Sequence, residues 1–294
     1  MARATPHVWA ARRAERLIGE WGIEALPIDV EAIARQHGIQ VQSMPQTIRG
    51  VSGMLQRAGE VYGIAYATYA DNHGFERFSI AHEPGHYFLD GHSEKVLGAG
   101  GVHQSRGGFA SGDKYELEAD HFAAGLLMPT PLFERAMDKA GKGFTAVEHL
   151  AELCETSLTA TAIRYAEATD DAVAVVVSSG STIDYWFASD TLKFTPGVEW
   201  LKKGEPVPRG TATERFNKDS DRVSRCEREQ SSSNVLDWFG DGPDRELSED
   251  VVGLGSYGRT LTVLFAEESW PDEEDEEDEH LGDFEPKFHR SRRR

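Results

Sequence analysis

The chain has 294 residues, a formal net charge of −19 and two cysteines, Cys154 and Cys226. That length can bury one substantial core and a second, smaller one, while so acidic a balance disfavours nonspecific attraction to the phosphates of nucleic acid. The cysteines have no metal-ligand spacing and suggest no disulfide framework, and neither a secretory segment nor an apolar run of spanning length occurs, so a cytoplasmic protein away from any membrane is expected.

In chain order, residues 7–23 predict an amphipathic helix with Val8, Ala11, Leu17, Ile18 and Trp21 as its apolar side. Asp29 is placed to cap a second helix that runs to Gln36 and is closed by Gly38. Residues 51–54 and 61–69 read as short strands joined by a turn at 57–60. The stretch 61–67 is either an ordinary core strand or a sheet edge to which an extended substrate could add.

The next helix carries the most informative string, His-Glu-Pro-Gly-His at 82–86. Phe78, Ala81, Tyr87, Phe88 and Leu89 supply its buried surface, and Asp90-Gly91 stops it. Two histidines four apart on a helix differ by about 40° around the axis, so both imidazoles can reach one ion while Glu83 turns toward the open position. Such a set suits hydrolysis, because zinc held by three protein ligands lowers the pKa of a bound water to about 7 and a carboxylate alongside can take its proton.

The third ligand is His92 or Glu116. His92 has the spacing of a longer three-histidine pattern, but Leu89 stands where that pattern turns the chain with glycine. Glu116 and Asp120 lie four apart on a helix over about 114–127, so one can hold metal while the other orients a histidine. This favours Glu116 as ligand and Asp120 as the orienting acceptor. Glu118 points about 160° away from Glu116 and reads as a solvated or structural carboxylate.

Pro84 costs about 3 kcal/mol or more inside a helix and Gly85 about 1 kcal/mol further. Metal binding can outweigh both, since small structural zinc sites reach about 10–16 kcal/mol. The sharper concern is a kink that separates the imidazoles, which a helix starting just before His82 would avoid.

Glycines 98, 100, 101, 107, 108 and 112 mark residues 93–114 as a mobile loop, with His103 facing solvent. Residues 144–168 look like a helix-turn-helix, with a capping box at 145–148, Ser157 or Thr159 capping the second helix, and Leu150, Leu153, Ile163 and Tyr165 packing between them. Its second helix offers only Arg164 as a basic group, so it is expected to be a structural linker with Arg164 near the catalytic cleft and no direct nucleic-acid binding. Strands follow at 172–178, 183–188 and 256–265, with an irregular stretch at 194–233; Trp186, Trp200 and Trp238 are expected to fill core rather than line a pocket. Eight consecutive acidic residues at 272–279 and a basic end read as a disordered tail.

Three strings carry a family resemblance: Phe-Ser-Ile-Ala-His-Glu-Pro-Gly-His-Tyr-Phe-Leu at 78–89, Glu-Leu-Glu-Ala-Asp-His-Phe-Ala-Ala-Gly-Leu-Leu-Met-Pro at 116–129, and Pro-Ile-Asp-Val-Glu-Ala-Ile-Ala-Arg-Gln-His-Gly-Ile at 27–39. Over about residues 10–170 the chain resembles the ImmA/IrrE metallo-endopeptidases of bacterial mobile elements and stress responses. The resemblance implies His82, His86 and Glu116 as metal ligands, Glu83 as general base, and a helix-turn-helix transcriptional repressor as the protein cut. Zinc is the implied ion, with manganese as its substitute. The expected fold class is α+β: a mostly helical zincin-like metallopeptidase domain with a small sheet over 1–140, a helical linker over 141–169, a sensor-like, GAF-like mixed module over 170–269, and a tail over 270–294. Pro84 departs from the bulky apolar residue usual in that family. The alternative it opens is a non-catalytic regulator that acts by binding a partner.

Overall fold

The computed structural model describes residues 8–70, 72–98, 100–106, 113–267 and 270. The chain opens with α1 (Val8–Glu20) and α2 (Val30–Gln36), where Asp29 accepts the Ala32 N–H at 2.8 Å as the expected cap. Strands β1 (Gln40–Ser43), β2 (Gly53–Ala58) and β3 (Val61–Tyr66) lead into α3 (His73–Phe88), α4 (His92–Val96), β4 (Val102–Ser105) and α5 (Lys114–Leu127). Helices α6 (Thr130–Ala140), α7 (Gly143–Cys154) and α8 (Leu158–Ala168) follow. Then come β5 (Val173–Ser179), β6 (Thr182–Ala188), α9 (Asp190–Lys193), α10 (Ala212–Asn217), α11 (Ser220–Ser224), β7 (Arg228–Asn234), α12 (Val235–Phe239), β8 (Glu246–Gly253) and β9 (Thr260–Phe265). The fold is α+β, as expected.

The first sheet has the order β1-β3-β2-β4, with β1 parallel to β3 and the other pairs antiparallel. β3 is therefore an inner strand, which decides the two readings of 61–67 in favour of an ordinary core strand and against a substrate-binding edge. The edge beside α5 is β4, which forms inside the stretch expected to be a loop. Glycines 107, 108 and 112 of that stretch, and residues 271–294 of the expected tail, lie outside the described residues.

The second sheet is antiparallel throughout, in the order β6-β5-β9-β8-β7. The strands expected at 172–178 and 183–188 are present and pair as a hairpin, but 194–233 is not irregular. It contains α10, α11 and the serine-rich β7, which pairs along its whole length with β8. The start of α10 is held by Glu249, fully buried, which accepts the Ala212 N–H at 3.2 Å and the Thr213 N–H at 2.7 Å.

Between α7 and α8 the expected cap is Ser157, accepting the Ala160 N–H at 3.2 Å. The capping box at 145–148 does not form, because α7 already begins at Gly143 and Thr145 falls inside it. Gly143 sits under the Phe265 ring, where a Cβ would clash. Arg164 does not reach the cleft; its guanidinium donates to Thr130 Oγ1 at 2.5 Å and pairs with Glu15 at 3.4 Å, tying α8 to α6 and α1. Trp186 and Trp238 belong to an apolar cluster with Phe239, while Trp200 packs edge-on against Trp186 and stays largely exposed. Among the described residues no helix is long and apolar enough to cross a membrane.

One apolar core runs from Ala10, Leu17 and Ile80 through Phe122, Leu126 and Phe144 to Val175 and Val263 of the second sheet. At its centre α5 lies between α1 and α3. Both contacts depend on glycine. A Cβ at Gly125 would stand 2.7 Å from Ala11 O, and one at Gly85 would stand 3.1 Å from Ala119 Cα, so α1 and α3 rest directly on the α5 backbone. Gly125→Val should force α1 off α5 and destabilise the protein by about 1–3 kcal/mol, the usual cost of overpacking; an unchanged urea midpoint would contradict this packing.

Candidate metal centre

α3 starts at His73, with Asn72 accepting the Phe75 N–H at 3.0 Å, so Pro84 lies deep in the helix and not in its first turn. The expected escape from a kink is not used. Instead the helix continues around the proline, and the Leu89 N–H closes its last turn on Gly85 O at 3.0 Å. Arg77, one turn before His82, anchors the helix by donating to Ile28 O at 2.7 Å and pairing with Glu155 at 3.1 Å. The two imidazoles stay on one face, with their Nε2 atoms 3.1 Å apart.

The close contact of Gly85 with Ala119 brings Glu116 of α5 to the same point. Its Oε2 is 3.6 Å from His82 Nε2 and its Oε1 is 3.3 Å from His86 Nε2. A tetrahedral ion with bonds of about 2.0–2.2 Å needs donor atoms about 3.3–3.6 Å apart; both histidine–carboxylate distances fall in that range, and the two Nε2 atoms, at 3.1 Å, stand slightly closer. His82, His86 and Glu116 form the group that could hold a metal among the described residues.

Side chains behind these three complete the arrangement. His82 Nδ1 lies 2.9 Å from Asp120 Oδ1; a carboxylate only accepts, so Nδ1 keeps a proton, and Nε2 turns a lone pair inward once it has given up its own. His92 is not a third ligand. Its Nδ1 faces His86 Nδ1 at 3.3 Å and its Nε2 lies 3.1 Å from Glu118 Oε2. Glu118 is buried, so of its two readings, solvated or structural, the structural one holds: the helix geometry points it away from Glu116, and that face is covered by α1, whose Trp9 indole donates to Glu118 Oε1 at 3.1 Å. His103 of β4 is also misread as solvent-facing. Its Nε2 is 2.8 Å from Glu116 Oε1, and its ring stands 4.6 Å from that of His86. No feature of its glycine-rich neighbourhood signals this, because the contact exists only once β4 pairs with β2.

Glu83 is fully buried, and neither carboxylate oxygen has a hydrogen-bond partner. A Cβ at Gly53 would overlap its Oε1, so β2 admits this side chain only because glycine stands there. Burial pushes the Glu83 pKa up to about 7, against the pull of the His82 and His103 charges. An orphaned acid next to inward lone pairs is costly unless a cation balances them, and the donor set therefore fits a divalent ion.

The same electrostatics govern uptake of that ion. Burial opposes charge on His82, but hydrogen bonds to Asp120 and Glu116 outweigh it and push its pKa up to about 10. Burial pushes His86 down to about 4 despite Glu116. Burial also opposes charge on Glu116, yet the neighbouring imidazoles of His103, His82 and His86 hold its carboxyl well below the usual carboxylate range. Between those two histidine values the metal-free protein carries its proton on His82, and an ion must displace it. Zinc affinity should rise about tenfold per pH unit from pH 6 to 8, with at least one proton released per ion. Isothermal titration in buffers of different ionisation enthalpy measures both, and pH-independent affinity would contradict the assignment.

Residues 34–165 match the family model of the IrrE N-terminal-like domain, peptidase M78. No curated protein sequence matches the chain. Among solved structures, a Mycobacterium tuberculosis transcriptional regulator aligns over 87% of this chain and 76% of its own, with a TM-score of 0.53 and 14% identity, a likeness of fold alone. The span matched by the family model contains α3, β4 and α5, and with them every side chain of the cluster. Over residues 34–165, a little under half of its length, the chain is therefore similar to the IrrE N-terminal-like domain of peptidase M78.

Proposed function

We propose that the protein is an intracellular metal-dependent endopeptidase in which His82, His86 and Glu116 hold a zinc or manganese ion, Glu83 is the general base, and Asp120 orients His82. The observation that carries this reading is the convergence of three donor atoms beside a buried carboxylate that has no partner of its own. When bound, the ion supplies Lewis acidity for the scissile carbonyl and acidifies the attacking water. Glu83 takes the proton from that water and delivers it to the departing amide nitrogen, a double duty suited to a group whose pKa burial pushes up to about 7. Asp120 keeps the His82 lone pair inward throughout. Among the described residues β4, whose His103 touches Glu116, is the outer strand of its sheet, a position from which it could add an extended substrate.

The substrate class comes from the ImmA/IrrE resemblance: a helix-turn-helix transcriptional repressor, cut in a stress or mobile-element circuit. We read residues 1–140 as the catalytic domain, 141–169 as its helical linker and 170–269 as a regulatory, GAF-like unit. The rival reading, a regulator with a site impaired by Pro84, has less support because the proline leaves the imidazole nitrogens 3.1 Å apart. Direct nucleic-acid binding also has little support, with the Arg164 guanidinium engaged by Thr130 and Glu15.

Incubating the metal-loaded protein with a repressor encoded beside it should yield two fragments. Glu83→Gln should retain one ion per chain and lose activity by about 10²–10⁴-fold. Undiminished cleavage by that variant would remove Glu83 from the mechanism.

A further inference from the structure

We propose that Glu118 and His92 are positioning residues for His86, forming a buried relay that decides which nitrogen of that ligand carries its proton; the inference rests on the metal reading above. The direction of the relay follows from its outer end. Glu118 Oε1 is taken by the Trp9 indole N–H at 3.1 Å, a group that can only donate, and by Lys114 Nζ at 3.5 Å. Glu118 Oε2 is left facing His92 Nε2 at 3.1 Å. A carboxylate accepts, so His92 carries its proton on Nε2 and presents a lone pair at Nδ1. That lone pair faces His86 Nδ1 at 3.3 Å, which must then bear the proton and leave Nε2 free to turn toward the ion.

The fold leaves this relay little freedom. His86 is 0% exposed, His92 1% and Glu118 2%, so the links of the relay are out of contact with bulk solvent. Tyr115 packs edge-on against the His92 ring, with centroids 5.0 Å apart and planes at 82°. The Ser93 hydroxyl donates to His86 O at 2.8 Å, fastening α4 to the end of α3. His82 thus has a carboxylate directly behind it, whereas His86 reaches one through an intervening imidazole. Groups behind a metal-binding histidine typically change metal affinity by about 10- to 100-fold when removed.

Two substitutions at one position separate a relay from mere packing. His92→Phe keeps the ring and deletes the acceptor; His92→Asn loses the ring but keeps an oxygen near the place of Nδ1. Zinc affinity of the full-length protein, measured by competition with a chromophoric chelator, should fall about 10- to 100-fold in His92→Phe and much less in His92→Asn. The cobalt-loaded His92→Phe protein should also show a shifted d–d spectrum. Retained affinity in His92→Phe, or equal losses in both variants, would overturn the relay. Wild-type protein that binds neither ion would instead overturn the metal reading itself. A measurement that needs no variant is the long-range proton–nitrogen correlation spectrum of the zinc-loaded wild type. It should show His86 protonated on Nδ1 and His92 on Nε2, and a His92 proton on Nδ1 would refute the proposal.

Discussion

The contact of α3 with α5 governs the rest of the molecule. Gly85 allows the two helices to meet backbone to side chain at Ala119, and the site follows from that approach. Glu116 lies one turn before Ala119 on the facing side, and Asp120 is the next residue after it. A single close crossing therefore delivers both the carboxylate that meets the imidazoles and the carboxylate that stands behind His82. The crossing is secured from the far side by α1, which rests on α5 at Gly125 and closes over Glu118 with Trp9. Side chains placed by packed helices keep their geometry better than side chains placed by loops, and a coordination site tolerates little error.

This arrangement concentrates charge where burial makes charge expensive. Glu83, Glu118 and Asp120 are buried carboxyl groups, and His82, His86 and His92 are buried imidazoles packed among them. Most of them satisfy one another by hydrogen bonds, and Glu83 is the exception. An apolar core of the same shape would be more stable. The fold keeps the charged one, and places glycine at 53 to make room for the acid that has no partner. Sites that work on a substrate are where such a departure from stable packing is expected.

What was legible in the sequence was whatever depends on spacing within one element. The four-residue steps from His82 to His86 and from Glu116 to Asp120 predicted shared faces, and both pairs share them. Caps made by a side chain next to its own helix, Asp29 and Ser157, were legible for the same reason. What escaped depends on distant partners. Glu118 is buried by a tryptophan 109 residues away. β3 becomes an inner strand because β1 pairs with it in parallel, and β4 acquires strand geometry only against β2. β7 has no apolar face of its own and exists by its ladder with β8, while α10 is started by Glu249 from another strand. Pro84 marks the limit from the other side: its local penalty is real, but a helix anchored by Arg77 and packed on α5 absorbs it.

The central claim is that two imidazoles and one carboxylate grip a common cation, and anomalous diffraction from crystals grown with zinc tests it most directly. The account predicts a single strong peak about 2.0–2.2 Å from His82 Nε2, His86 Nε2 and a Glu116 oxygen. A peak at other residues, or none with these side chains ordered and zinc in excess, would contradict it.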